Sequence, residues 1–589
     1  MRDKLLISLL LAGIIWSCER SMETKVVEYK TAFEQGSGNE TATYEETIAF
    51  YIRLAKEFPE INIQSIGDTD IGLPLHIVTF NPDGDFNFQK IREKKAIILI
   101  NNGIHPGESD GIDATMLLFR DLAVGKMHAP QNTVLVTIPV YNVGGALNRN
   151  GSSRVNQNGP ERHGFRGNAR YYDLNRDFIK ADTKNAASFA TIYHLVKPDV
   201  FVDNHVSNGA DYQYTLTHLF TQHNKLGGAL GEFLHQELQP ALENALAQED
   251  WDITPYVNVF NRVPESGFSQ FMDRPRYSTG YTTLWNTLGL MVETHMLKPY
   301  KARVAGTYAL MKNLVEITEE KGEAIRKLRL EAQTRHQNWT SYPLRWMVDS
   351  TRISQLQFKG YEADTLISEV TQLPRLKYDR NRPFKKPIPY FNYFKPADSV
   401  TIPEAYIIQK GWDHLGVHLD RNLIAYSRLQ KDTTLIAEIY YIADYKTRPR
   451  AYEGHYPHYN TRVRSIRDTV KLREGDLWIP TDQPGIRYLL ETLEPAAPDS
   501  FFNWNFFDPI LQRKEGFSPY VFEDLAWEIL RENDELRNEF SEIKETDENF
   551  SGSAYRQLYW IYENSPYAEK GFMRYPVYRI VPKDQLVSE

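Results

Sequence analysis

Two residues three apart, His105 and Glu108, lie in the stretch Asn101-Asn102-Gly103-Ile104-His105-Pro106-Gly107-Glu108, where glycine and proline permit the sharp bend that turns both donor groups toward one point. The stretch follows the apolar run 96–100 and precedes an amphipathic segment that begins near Asp110, so the pair sits on a turn between a strand and a helix. Two further positions follow short apolar runs in the same way. Residues 200–202 end in Asp203-Asn204-His205, and residues 288–292 end in Glu293-Thr294-His295. In open α/β sheets ligands bind beyond the carboxyl ends of the strands, so His105, Glu108, His205 and Glu293 are expected to meet there. Two histidines and a glutamate make the ligand set of a hydrolytic zinc site, with a fourth position left for an exchangeable water. Such a metal lowers the pKa of that water to about 7. A neighbouring carboxylate, here Glu293, can then take the proton and hand it to a leaving group.

The elements that must position these residues alternate along the chain. A helix is predicted over 43–58, ended by Pro59, followed by strands at 75–80, 96–100 and 133–138 with a helix between the last two that carries Ile112, Met116 and Phe119 on one face. This rhythm predicts an α/β fold in which a mixed central sheet is covered by helices on both faces. Residues 141–167 are rich in Asn, Gly and Arg and lack an apolar period, which predicts a long functional loop. A long helical pattern at 304–336 closes the first domain, assigned to residues 43–345. Residues 346–490 are rich in β-branched and aromatic residues with proline breaks, for example at 406–408, 434–441 and 477–479, and predict a β-containing domain. Residues 491–589 predict a mixed α/β region with helices at 521–543 and 554–562 and a last strand at 575–581. There is no internal repeat. His218 and His223 are read as ordinary core or surface histidines, and the 35 tyrosines as core and interface filling.

A chain of 589 residues exceeds one core. Its 41% hydrophobic and 25% charged residues are those of a globular protein, and a net charge of -9 without long runs argues against nucleic acid as a partner. At the start, Arg2 and Lys4 precede an apolar run from residue 5 to residue 15, too short to span a bilayer and matching an export signal. Ile15-Trp16-Ser17-Cys18 resembles the lipobox of bacterial lipoproteins, with Trp16 where a small residue is usual. Cys18 is the chain's one cysteine, so disulfides and cysteine-ligated metals are excluded and a lipid anchor is its best explanation. Residues 1–18 are thus assigned as signal and lipobox, and 19–42 as a tether to the first domain.

The order His-x-x-Glu, then Asn-Arg, then a strand-end His, then a strand-end Glu resembles the M14 family of zinc carboxypeptidases over residues 43 to about 335. The His2Glu set is that of carboxypeptidase A itself, so the ligand assignment travels with the resemblance. The resemblance implies that His105, Glu108 and His205 bind one zinc ion and that Glu293 is the general base. It implies that Asp173, two residues before the Asn-Arg pair, orients the first histidine, and that Asn175 and Arg176 grip the substrate's terminal carboxylate, which a guanidinium can hold by both oxygens. The family arginine that polarises the scissile carbonyl matches Arg154, before Val155-Asn156, with Arg162, Arg166 and Arg170 as rivals in the same loop. The family's mobile tyrosine matches Tyr277, with Tyr281 as rival. The chain departs from the family at Asn142-Val143-Gly144-Gly145, where many members read Asn-Pro-Asp-Gly, in the long loop 151–169, and at Val206-Ser207-Asn208-Gly209.

The function expected is a lipid-anchored, exported metallocarboxypeptidase that takes peptides with a free C-terminal carboxylate. A murein-peptide or amide hydrolase on the same fold is the alternative enzyme, and a non-catalytic surface binding lipoprotein is the alternative outside enzymes. The anchor is open to a direct check: Cys18→Ala should abolish metabolic lipid labelling and lipoprotein-type processing, whereas unchanged labelling would remove the assignment.

Overall fold

The computed structural model describes residues 28–581, so the export signal and Cys18 lie outside the described residues. At its centre is an eight-stranded sheet with spatial order β1-β2-β4-β3-β5-β9-β6-β7. The strands are β1 (Ile61–Asp68), β2 (Pro74–Phe80), β3 (Ala96–Asn101), β4 (Thr133–Ile138), β5 (Val200–Ser207), β6 (Leu216–Phe220), β7 (Ile253–Pro255) and β9 (Leu288–His295). The two-residue β8 (Phe268–Ser269) belongs to another sheet. β4, β3, β5 and β9 run parallel, β1 and β2 are antiparallel at one edge, and β6 is antiparallel to β9. Every residue of β3, β4 and β5 is buried, because the parallel strands are covered on both faces.

The alternation of side chains sorts those residues into two cores. Ile98, Ile100, Val202 and Leu290 face the helices Tyr44–Glu57, Asp110–Ala123 and Tyr300–Thr334. Ile97, Leu99, Val136 and Phe201 face the helix Lys184–Val196 and, beyond it, residues of the C-terminal region such as Tyr406, Leu490 and Phe501. The mixed α/β sheet covered on both faces is therefore the fold, and on one face the cover includes the C-terminal region itself.

That region is rich in β-structure. β10 (Ser341–Val348) pairs with β13 (Phe394–Thr401), and the long hairpin of β11 (Ser354–Ile367) and β12 (Pro374–Phe391) takes β8 as a parallel third strand. A six-stranded sheet has the order β15-β18-β14-β19-β16-β17, formed by β14 (Ala405–Ile408), β15 (Ser427–Arg428), β16 (Thr433–Thr447), β17 (His458–Leu472), β18 (Leu477–Pro480) and β19 (Val577–Ile580). The helical pattern at 521–543 is two helices, Pro519–Glu532 and Asp534–Thr546. Asn533 breaks it by capping the second through Leu536 N–H at 3.0 Å. No helix among the described residues is long and apolar enough to cross a membrane.

The stretch 19–42 needs correction over its described part, because residues 28–42 are packed rather than a free tether. Thr31 caps the short helix Ala32–Gln35, Phe33 sits edge-on to Tyr300 with centroids 5.8 Å apart, and Glu34 pairs with buried Arg120 at 2.6 Å. Composition around Gly36 and Gly38 suggested a linker, but Tyr29 and Phe33 supply two apolar anchors that outweigh it. Phe33→Ala should therefore destabilise the protein by about 3 kcal/mol, the cost of emptying a buried aromatic site. An unchanged midpoint in denaturant unfolding would show that this segment does not pack.

Candidate functional site

The turn after β3 carries the first two candidates. Gly103 has a positive φ of 64°, which the chain needs to leave the strand and present His105 and Glu108 at its carboxyl end. Both are buried. His205 stands near the end of β5, the immediate neighbour of β3, and its ring centroid is 5.1 Å from that of His105. The glutamate lies between the rings. Glu108 Oε1 is 3.2 Å from His105 Nδ1, and Oε2 is 3.1 Å from His205 Nδ1 while also accepting the Val206 N–H at 2.9 Å. Donor atoms of His105, Glu108 and His205 all lie within 4.8 Å of one another.

Each imidazole is oriented by a carboxylate on its far nitrogen. His105 Nε2 is 2.9 Å from Asp173 Oδ1, and His205 Nε2 is 2.9 Å from Asp203 Oδ2. With Nε2–H donating to a carboxylate, each Nδ1 lone pair is aimed at the space beside Glu108. His105 Nδ1 is a buried nitrogen with no hydrogen-bond partner. Such an atom is costly unless a ligand satisfies it, and a cation bound by both Nδ1 atoms and Glu108 would do so. The donor set fits the zinc expected from the sequence.

The electrostatics agree with that fit. Burial alone would lower His205, but Asp203 and Glu108 outweigh it and hold the ring well above the usual imidazole range, so the site favours positive charge. Burial alone would raise Glu108, but His105 and Arg154 hold it well below the usual carboxylate range. Asp173 is likewise held down against burial by His105, Arg166 and Arg176.

Glu293 lies directly across from His205 in the β5–β9 register. Burial pushes its carboxyl up to about 7, an effect that His205 opposes and Glu108 reinforces. A carboxyl poised there can accept and return a proton near neutral pH. Glu293, His105, Glu108 and His205 line one cavity of about 450 Å³, together with Arg154, Arg166, Asn175, Arg176 and Tyr277.

Asp173 caps the short 3-10 turn Leu174–Arg176 by accepting the Asn175 N–H at 3.0 Å. Arg176 lies with its guanidinium carbon 4.7 Å from the centre of the Tyr277 ring, and Asn175 Oδ1 accepts the Ser278 N–H at 3.2 Å. Of the arginines in the loop, Arg154 donates to Glu108 at 2.9 Å and to Gln157 at 2.6 Å, and Arg166 reaches Asp173 at 2.8 Å and Glu108 at 3.5 Å. Arg162 and Arg170 do not line the cavity, and Arg170 instead lies over Tyr172. Tyr281 is also elsewhere, buried in the second core with its hydroxyl donating to Asn422 at 2.6 Å. His218 pairs with Glu243 at 2.8 Å and His223 stacks on His235 at 4.0 Å, and neither lines the cavity.

Three residues at the site went unassigned in the sequence. Asp203 has a signal there, since positions 203 and 205 fall on one face of a strand. It is fixed by Asn101 Nδ2 at 3.0 Å and by the hydroxyl of Ser278. Tyr256 lines the cavity near Glu293 with no motif to mark it. Glu453 accepts the Asp173 N–H at 2.8 Å from 280 residues away, a contact that no local pattern announces.

Residues 47–200 match the sequence model of the zinc carboxypeptidase family, peptidase M14. The metallo-carboxypeptidase of Burkholderia cenocepacia is similar at 15% identity over 47% of this chain and 70% of its own, with a TM-score of 0.36. Carboxypeptidase A of Helicoverpa armigera is similar at 13% identity over 54% of this chain and 81% of its own, with a TM-score of 0.37. A Pseudomonas aeruginosa metallo-carboxypeptidase, solved in complex with (2-guanidinoethylmercapto)succinic acid, is similar at 13% identity over 48% of this chain and 70% of its own, with a TM-score of 0.36. No curated protein matches the sequence. The match to the zinc carboxypeptidase family model runs from residue 47 to residue 200, a stretch that holds His105, Glu108, Asp173, Asn175 and Arg176 and ends where β5 begins.

Proposed function

We propose that the protein is a zinc-dependent metallocarboxypeptidase that hydrolyses the C-terminal peptide bond of peptides outside the cytoplasm, held to a membrane through Cys18. The observation that carries the catalytic part is the convergence of two Nδ1 atoms and Glu108 on one point, with His105 Nδ1 buried and without a hydrogen bond and Glu293 facing them from the adjacent strand. His105, Glu108 and His205 would hold one zinc ion, which when bound supplies Lewis acidity toward a carbonyl and makes water acidic enough to deprotonate near neutral pH.

The chain's own residues do the rest. Glu293 takes a proton from the attacking water and returns it to the departing amine. Arg154 and Arg166, the two loop arginines that line the cavity, supply positive charge that can stabilise the carbonyl oxygen as it becomes negative. Arg176, beside Asn175, pairs with the substrate's terminal carboxylate and so fixes which bond lies against the metal ligands. Between these groups the cavity offers apolar surface from Leu219 and Met291, cross-strand neighbours on β6 and β9, and from Phe271. That surface suits an apolar C-terminal side chain. Free-carboxylate recognition favours a carboxypeptidase over an amide hydrolase.

Metal binding and chemistry should separate by mutation. His105→Ala should lose zinc, and Asp203→Asn should weaken zinc affinity about ten- to a hundredfold by releasing the His205 ring, as measured by chelator competition. Undiminished zinc binding in His105→Ala would place the metal elsewhere. Glu293→Gln should keep zinc and lower kcat by about two to four orders of magnitude on a peptide with an apolar C-terminal residue. The wild type should cut that peptide as the free acid and leave its C-terminal amide intact. Equal cleavage of acid and amide would remove Arg176 as a carboxylate clamp.

A further inference from the structure

The two segments that carry the clamp, residues 173–176 and 276–278, are both braced by the C-terminal region. β16 and β17 form a hairpin of fifteen-residue strands. At its tip, residues 448–457, the Arg448 N–H closes onto the Pro457 carbonyl at 3.0 Å. Within this tip Glu453 Oε2 accepts the Asp173 N–H at 2.8 Å, on the same residue whose side chain orients His105 and lies 3.9 Å from Arg176.

The tip is shaped for that contact. Glu453 has a left-handed φ of 50°, unusual for a residue with a side chain. Gly454, at φ +80°, passes so close to Tyr172 that a Cβ there would lie 2.4 Å from the tyrosine oxygen. His455 Nε2 reaches Asp182 at 2.7 Å, and Asp182 in turn holds buried Lys180 at 2.6 Å. Burial pushes the Glu453 carboxyl up, and the Asp173 N–H only partly offsets this. A left-handed backbone and a desolvated acid are both unfavourable to stability, which fits a role in holding something else.

The second brace is Asp499. It accepts the Arg276 backbone N–H at 2.9 Å and the Arg276 Nε at 2.8 Å, while the guanidinium carbon lies 4.8 Å from the centre of the Trp504 ring. Arg276 immediately precedes Tyr277, whose ring lies against Arg176. The Ser278 N–H bond to Asn175 ties the two braced segments together.

We propose that Glu453 and Asp499 are positioning residues for the substrate-carboxylate clamp, so that the C-terminal region sets where Asn175, Arg176 and Tyr277 stand relative to the metal ligands. The proposal rests on the reading of Arg176 given above. Neither residue lines the cavity, so each acts through the backbone or side chain that it holds.

The test uses the full zinc-loaded chain and a free-acid peptide with an apolar C-terminal residue, with KM, kcat and zinc content measured for each variant. Glu453→Ala should raise KM about ten- to a hundredfold, as expected for loss of a hydrogen bond to a charged group, with kcat and zinc content close to wild type. Glu453→Gln keeps an acceptor oxygen at the same reach and should bring KM back to within about threefold of wild type, the size of a modest geometric loss. Asp499→Asn should raise KM in the same direction with zinc retained. An unchanged KM in either Glu453→Ala or Asp499→Asn would overturn the proposal. A Gln variant as impaired as the Ala variant would overturn it as well, and so would loss of zinc or of folding in Glu453→Ala, because the tip would then be a general support. A wild type that cuts acid and amide alike would instead overturn the reading of Arg176. A wild type that prefers the acid, together with an indifferent Glu453→Ala, would overturn only the positioning role.

Discussion

Five side chains form an unbroken series through the site: Asp203, His205, Glu108, His105 and Asp173, each within 3.2 Å of the next. Buried carboxylates and imidazoles are tolerated in such a row because each is the other's partner, and removing one leaves a buried charge that costs about 3 to 5 kcal/mol. The series ends in acids on both sides and has a third acid in its middle. It therefore attracts positive charge, and Arg154, Arg166 and Arg176 gather around it. His105 Nδ1, beside Glu108 but without a hydrogen bond, marks the point where that attraction is not fully met by the protein itself.

The sheet makes the row possible. Neighbouring strands lie about 4.8 Å apart, which is close to the 5.1 Å between the two imidazole rings on β5 and the turn after β3. The same spacing on the other side of β5 brings Glu293 alongside His205. The candidate ligands and Glu293 thus occupy three consecutive carboxyl ends, β3, β5 and β9, and their separation is that of hydrogen-bonded strands rather than of a flexible loop.

This explains which parts were legible in the sequence. Short apolar runs ending in His or Glu give both a strand and a position at its end, so His105, Glu108, His205 and Glu293 could be placed together from pattern alone. Asp203 was within reach, since it alternates with His205, but an Asp two residues before a His carries no meaning until the strand's facing is known. Among the loop arginines the resemblance points to Arg154, but spacing does not show that Arg166 joins it in the cavity, because both are drawn there by Glu108, at least 46 residues earlier in the chain. Residues 28–42 were misread from their glycines, whose local flexibility is overridden by burial of Tyr29 and Phe33. The C-terminal contribution was invisible for a simpler reason. Glu453 and Asp499 meet their partners across more than 200 residues, and only the folded chain brings them near.

The order of strands in the C-terminal sheet bears on when the site is finished. β19, residues 577–580 of 589, lies between β14 and β16 rather than at an edge, and joins the β16–β17 hairpin to the rest of that sheet. During synthesis the strands of the eight-stranded sheet, the last of which ends at His295, are all delivered long before this strand exists. The hairpin whose tip meets Asp173 has no neighbour on its β16 side until residues 577–580 have been delivered. Seating of the hairpin that braces the candidate site is thus a later event in synthesis than delivery of the strands that carry it.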